Sequence, residues 1–268
     1  MIRLAVSNIA WPAEQHSEAL ALLDELGIRG IEVAPTMVWP DWQVTSDQAG
    51  AYRKQSASQG FWVSSLQAIL FAKPGALLFG YPAELLEHLD FFAALAQDLG
   101  APNLVFGAPK NRLRGNLPPE AAHRIAAGIF RQIAPAFAAR GAWLCLEANP
   151  PQYGADFLTH AAQAARLVRA VDQPGIGLHL DTACLHLAGE DPAELIAENA
   201  DILRHFHVSE PFLGTFDAPV VDHAAAAQAL RRTGYSGWAV LEMRATATPL
   251  DDLRRAVAFL SATYGVRS

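Results

Sequence analysis

Four short runs in the second half of the chain share one pattern: Leu144-Cys145-Leu146-Glu147, Leu178-His179-Leu180-Asp181, His205-Phe206-His207-Val208 and Val240-Leu241-Glu242. Each is an apolar, strand-like stretch that carries a carboxylate or imidazole at its end. The residues Glu147, Asp181, His207 and Glu242 are spaced by 34, 26 and 35 positions, the length of one strand plus one helix. Parallel strands joined by helices bring their carboxyl ends to one rim, so these four side chains are expected to meet there.

The same rhythm runs through the whole chain. Arg3–Asn8, Gly30–Ala34, Trp62–Gln67, Asn103–Phe106, Ala142–Glu147, Ile176–Asp181, Ile202–Val208 and Trp238–Glu242 read as strands. Helical periodicity alternates with them over Glu14–Leu26, Ser46–Gln59, Ala83–Leu99, Pro118–Arg140, Thr159–Val171, Pro192–Asn199, Asp222–Arg232 and Leu250–Ala262. Gly27, Gly60, Gly100, Gly141, Gly175 and Gly234 each follow a helical segment, where a left-handed capping residue is useful. Eight such alternations without a linker predict the α/β class and a (β/α)₈ TIM barrel, a single domain over residues 1–268. Neither GxGxxG nor GxxxxGKS occurs, so a nucleotide-binding sheet lacks its usual signature.

Composition narrows the function classes. A net charge of −7 opposes nucleic-acid binding, which needs a basic footprint, and points to a small polar substrate. No uncharged apolar run approaches the roughly 20 residues of a membrane helix, so no membrane partner is expected. The first residues read directly as a strand without a leader pattern, which makes the cytoplasm the expected location. Cys145 and Cys184, the latter placed in a loop after a strand, form no CxxC or zinc-ribbon spacing and are read as reduced. Three lysines leave few candidates for Schiff-base chemistry.

Strand alternation puts Cys145 on the face of Glu147, His179 on that of Asp181 and His205 on that of His207. The inner members, with Val240, form an expected layer beneath the site, its imidazoles supporting the ligand carboxylates above. Any one strand-end carboxylate is ordinarily a solvated residue. Four in consecutive strands instead suggest a single divalent cation, Mn²⁺ foremost, with Mg²⁺, Co²⁺ or Zn²⁺ as alternatives for a set of three oxygens and one nitrogen.

Together with Gly30-Ile31-Glu32-Val33-Ala34, these strand ends, extended to Leu146-Glu147-Ala148-Asn149, Leu180-Asp181-Thr182, His207-Val208-Ser209-Glu210 and Leu241-Glu242, resemble the xylose-isomerase-like TIM barrels. That family includes ketose epimerases, hydroxypyruvate isomerases, inosose dehydratases and, more distantly, abasic-site endonucleases. The resemblance implies that Glu147, Asp181, His207 and Glu242 bind one divalent ion, with Glu147 and Glu242 also moving protons. Two departures concern substrate contacts: Cys184 stands where sugar enzymes of the family often carry a histidine, with His186 two positions on, and the segment 211–216 lacks their arginine.

The implied activity is that of a metal-dependent sugar or sugar-phosphate isomerase or epimerase. Glu147 and Glu242, from strands separated by two others, would exchange a proton with carbon on either side of a metal-stabilised enediolate. Other candidate substrate contacts are Glu32, Gln67, Lys110, Arg112, His186, Glu210 and Arg244, each with an ordinary structural reading beside it. Asp222 reads as a helix N-cap rather than a ligand. A dehydratase sharing the site and a non-catalytic sugar-binding barrel are the competing readings. A homo-oligomer is compatible with either.

Overall fold

The computed structural model describes residues 1–265. Among them, eight parallel strands close into a barrel in the order β1 to β8: Arg3–Ser7, Gly30–Val33, Trp62–Leu66, Asn103–Phe106, Trp143–Glu147, Ile176–Asp181, Leu203–Ser209 and Trp238–Glu242. Nine α-helices surround it: α1 His16–Glu25, α2 Ser46–Ser58, α3 Ala83–Leu99, α4 Pro119–Ala139, α5 Ala161–Val171, α6 Thr182–Ala188, α7 Pro192–Glu198, α8 His223–Arg232 and α9 Pro249–Tyr264. The expected strands and helices are all present within a few residues of their expected bounds. The addition is α6, which starts directly after β6 and takes in Cys184, so that residue is helical rather than in a loop.

The helices seat their apolar stripes on the strands. In α3, Leu85, Leu89, Phe92, Ala96 and Leu99 recur at helical spacing and are buried. Its end is set by Gly100 in the left-handed conformation at φ 70°. At Gly175, φ is 94° and a side chain would strike the backbone of α4, so no larger residue suits that turn.

Strand register decides which side chains share a level. Glu147 pairs with His179 across β5 and β6, Asp181 with His207 across β6 and β7, and Ser209 with Glu242 across β7 and β8. Glu147, Asp181 and Glu242 end their strands while His207 lies two positions before the end of β7, so the four candidates lie on a slant around the barrel, the consequence of strand stagger in a closed sheet. Register shifts interrupt the β2–β3 pairing, where Ile31 faces Val63 but Glu32 faces Ser65, and the β6–β7 pairing, where Leu178 faces Leu203 but His179 faces His205. Such bulges re-aim the side chains beside them.

Candidate metal centre

Asp181 ends β6 and caps α6. Its Oδ1 accepts from the Cys184 amide at 2.7 Å, and its Oδ2 accepts from Ser209 Oγ at 2.6 Å. Ser209 and Thr182 exchange two further bonds, Thr182 Oγ1 to the Ser209 carbonyl and the Ser209 amide to Thr182 Oγ1, each 2.8 Å. The ends of β6 and β7 are thus tied together, and the Asp181 carboxylate cannot swing out.

His207 is 1% exposed. Its Nε2 meets Glu32 Oε2 at 3.0 Å, while Nδ1 lies 3.2 Å from Glu242 Oε2 and 3.8 Å from Asp181 Oδ2 without an aligned hydrogen bond to either. A buried polar atom without a partner is costly, and this one faces two carboxylates. One atom each from Glu147, His179, Asp181 and His207 lies within 4.8 Å of the others. That arrangement can hold a divalent cation, as oxygen and imidazole donors around one point do.

The electrostatics agree. Burial, together with the neighbouring Asp181 charge, pushes the Glu147 carboxyl up to about 8. Burial likewise raises Glu242, with Asp181 and Glu32 adding to the effect. Burial alone would lower His207, but Glu32 and Glu242 outweigh it and hold the imidazole well above its ordinary value. Four acids, Glu32, Glu147, Asp181 and Glu242, packed around His207 are short of positive charge, which a cation would supply.

Below the cluster, Glu32 is fully buried. It accepts at Oε2 from Ser65 Oγ at 2.7 Å and pairs there with His205 Nε2 at 2.9 Å as well as with His207. Burial would raise its pKa, yet the two imidazoles pull it far below the usual carboxylate range.

Above the cluster opens a cavity of about 440 Å³, lined by Glu147, His207 and Glu242 and walled by Ile69, Leu70, Phe71, Val105 and Pro109. Gly107 lies against Glu147, where a methyl group would overlap Oε2. A larger hollow of about 580 Å³ at the opposite mouth, lined by Arg3, Arg29, Trp62 and Trp238 among others, has no acid or histidine in its wall. The rim carrying the strand carboxyl ends is the one equipped for chemistry.

A model of the xylose isomerase-like TIM barrel family matches residues 20–263. The chain belongs to that family. A ketose 3-epimerase of Arthrobacter globiformis is 30% identical over 104 residues, covering 39% of this chain and 36% of that protein. An inosose dehydratase of Lacticaseibacillus casei is 27% identical over 130 residues, covering 39% of this chain and 44% of that protein. The matches thus span well under half the length of these curated relatives. The structure of an L-ribulose 3-epimerase superposes with a TM-score of 0.80 at 21% identity, covering 98% of this chain and 95% of that one, a likeness of fold.

Within this xylose isomerase-like barrel, the other residues singled out from sequence divide sharply. Gln67 and Lys110 line the cavity, Gln67 with its Nε2 donating to Ser7 Oγ at 2.5 Å. Glu32 does not reach the rim; it is held in the barrel interior by Ser65, His205 and His207. Arg112 is 1% exposed, and its guanidinium donates to the Glu147 carbonyl and to Asn149 Oδ1, both at 2.6 Å, so it builds the rim instead of meeting a ligand. Glu210 accepts from the Val220 amide at 2.9 Å and pairs with His223 Nε2 at 2.8 Å, pinning the loop between β7 and α8. His186 and Arg244 are exposed and lie outside the residues lining the cavity. Cys184 instead faces the cluster, its Sγ 3.8 Å from Glu147 Oε1. Asp222 caps α8 by accepting from the Ala225 amide at 2.9 Å.

Sequence reasoning placed His179 in the layer beneath the site, supporting the carboxylates above; it lies level with Glu147 in the β5–β6 pairing, its Nε2 3.8 Å from Oε1. Sequence reasoning also missed Gly107, whose lack of a side chain makes room for a carboxylate. The signal for His179 was its position two residues before Asp181, but only the slanted register reveals the level it occupies.

Proposed function

We propose that this protein is a divalent-metal-dependent isomerase or epimerase of small ketose sugars, working in the cytoplasm with Mn²⁺ as its ion. The observation that carries the reading is the cavity onto which Glu147, His207 and Glu242 all open. The local match to a ketose 3-epimerase supports the substrate class.

In this reading Glu147, Asp181, His207 and Glu242 hold the ion, with Glu32 orienting His207 from beneath. The ion, when bound, stabilises the negative charge that develops on the carbonyl and neighbouring hydroxyl of a ketose as its C–H bond is broken. Glu147 on β5 and Glu242 on β8 flank the substrate carbon from strands separated by two others. One takes the proton and the other returns it: to the opposite face in an epimerisation, or to the adjacent carbon in an isomerisation. Ile69, Leu70, Phe71 and Pro109 shield the reacting carbon from water. Lys110, the one lysine or arginine lining the cavity among the described residues, and Gln67 are the proposed sugar contacts.

A dehydratase is the second reading, favoured by the match to inosose dehydratase. It shares the first proton abstraction and then expels a β-hydroxyl. Incubation of the Mn²⁺-loaded protein with a ketose panel in deuterated water tests both. Deuterium at the carbon beside the carbonyl, with recovered sugar, supports the epimerase or isomerase. An unsaturated or diketone product supports the dehydratase, and neither exchange nor elimination with any sugar argues for a binding barrel.

A further inference from the structure

Among the described residues, His179 is the one histidine of the barrel interior with neither ring nitrogen in an aligned side-chain hydrogen bond. It is 1% exposed, and neither Nδ1 nor Nε2 has a hydrogen-bond partner. Neutral imidazole has one donor and one acceptor; the His205 backbone is close enough to weigh on this ring, but Nε2, the nitrogen facing Glu147, is left without a partner. Its neighbour His205, by contrast, is satisfied by Glu32. The surroundings of His179 are polar: Nε2 lies 3.8 Å from Glu147 Oε1, and its ring stands edge-on to His207 with centroids 4.3 Å apart. A direct hydrogen bond to Glu147 is too long at that distance. A group seated between them would use the lone pair.

The backbone explains the position. Pairing of β5 with β6 sets His179 level with Glu147, and the register shift in the β6–β7 pairing, which skips Arg204, sets it opposite His205. Its ring nitrogen belongs to the same 4.8 Å cluster as the oxygens of Glu147 and Asp181 and the nitrogen of His207.

We infer that His179 is a further nitrogen donor to the ion held by Glu147, Asp181 and His207, and that it tilts the site's preference among divalent metals. The inference rests on the metal site proposed above. Carboxylates suit Mn²⁺ and Mg²⁺, whereas each added imidazole favours Zn²⁺ and Co²⁺. With two imidazoles the site binds Zn²⁺ relatively more tightly than one imidazole and three carboxylates would.

The test compares the full-length wild type with His179→Gln, His179→Leu and Asp181→Asn, with folding checked by circular dichroism. Each protein, stripped by chelation, is titrated with Mn²⁺ and with Zn²⁺ against a chromophoric chelator. Each is also loaded with Cu²⁺, and pulsed EPR counts the bound imidazoles. The expected result is two imidazoles in the wild type and one in both His179 variants, with the Zn²⁺-over-Mn²⁺ affinity ratio falling about ten-fold or more. One imidazole in the wild type and an unchanged ratio in both variants would overturn the role of His179 while leaving the metal site standing. Failure of the wild type to bind any of these ions, or binding untouched by Asp181→Asn, would overturn the metal site itself and this inference with it.

Discussion

Glu32 stands directly beneath His207, with Oε2 3.0 Å from Nε2, so the opposite ring nitrogen points up at Glu242. A carboxylate in that position fixes the tautomer and raises the basicity of the nitrogen that faces the site. Glu32→Gln is expected to lower divalent-metal affinity by about 10- to 100-fold, a range typical of such supporting residues. Isothermal titration with Mn²⁺ checks it, and unchanged affinity would show that His207 needs no partner.

Gly107 makes room for Glu147. Gly107→Ala is expected to displace that carboxylate and cost at least ten-fold in proton exchange, since a misplacement of about 1 Å costs on the order of 100-fold. The fold should survive, because Gly107 has no left-handed backbone requirement. Near wild-type exchange rates would place Glu147 away from the chemistry.

Arg112→Met removes two charge-assisted hydrogen bonds from a buried position. A loss on the order of 2–3 kcal/mol in unfolding free energy is expected. Urea denaturation measures it, and Arg112→Lys should recover little, since an ammonium cannot span the Glu147 carbonyl and Asn149 as a guanidinium fork does. A substrate-binding arginine would show the reverse pattern, a raised KM at unchanged stability.

The raised pKa of Glu147 has a definite sign in the metal-free protein. With its carboxyl at about 8 against an ordinary 4.5, the folded chain keeps a proton that the unfolded chain has released, so this group costs stability as pH rises across that window. Cation binding has to displace the same proton, and Mn²⁺ affinity should climb with pH until about 8. Thermal melts with and without Mn²⁺ from pH 5 to pH 8 should therefore diverge with rising pH. At 100 times its Kd the ion adds about 2.7 kcal/mol. Melting curves that stay parallel across the range would contradict the assignment.

Glu147→Gln and Glu242→Gln should each abolish epimer formation, with kcat falling by at least about 100-fold. Hydrogen–deuterium exchange into a single epimer surviving in one variant would identify which carboxylate serves which face. Full turnover in both would exclude a two-carboxylate mechanism.

The barrel was legible because its evidence is local: period, capping glycines and strand ends recur with each strand–helix pair. The four strand-end residues were legible for the same reason, and so was the cap at Asp222. What escaped depends on pairings between distant segments. Glu32 lies inside where Ser65, His205 and His207, from two other strands, converge on it. Arg112 reaches back to a carbonyl 35 positions away, and Glu210 finds its imidazole across a loop. His179 was read as lying beneath the site because alternation along one strand carries no information about its level relative to the next.

Asp181 caps α6 through the same carboxylate that faces the metal cluster. An aspartate at a helix start contributes about 1 kcal/mol whether or not an ion is bound. Asn, also a good cap, should keep that contribution where Ala would lose it. A lineage that abandoned catalysis would still have cause to keep this aspartate, so its persistence among relatives is weak evidence of activity, whereas loss of Glu242, which has no such second duty, would be a clear mark of retirement.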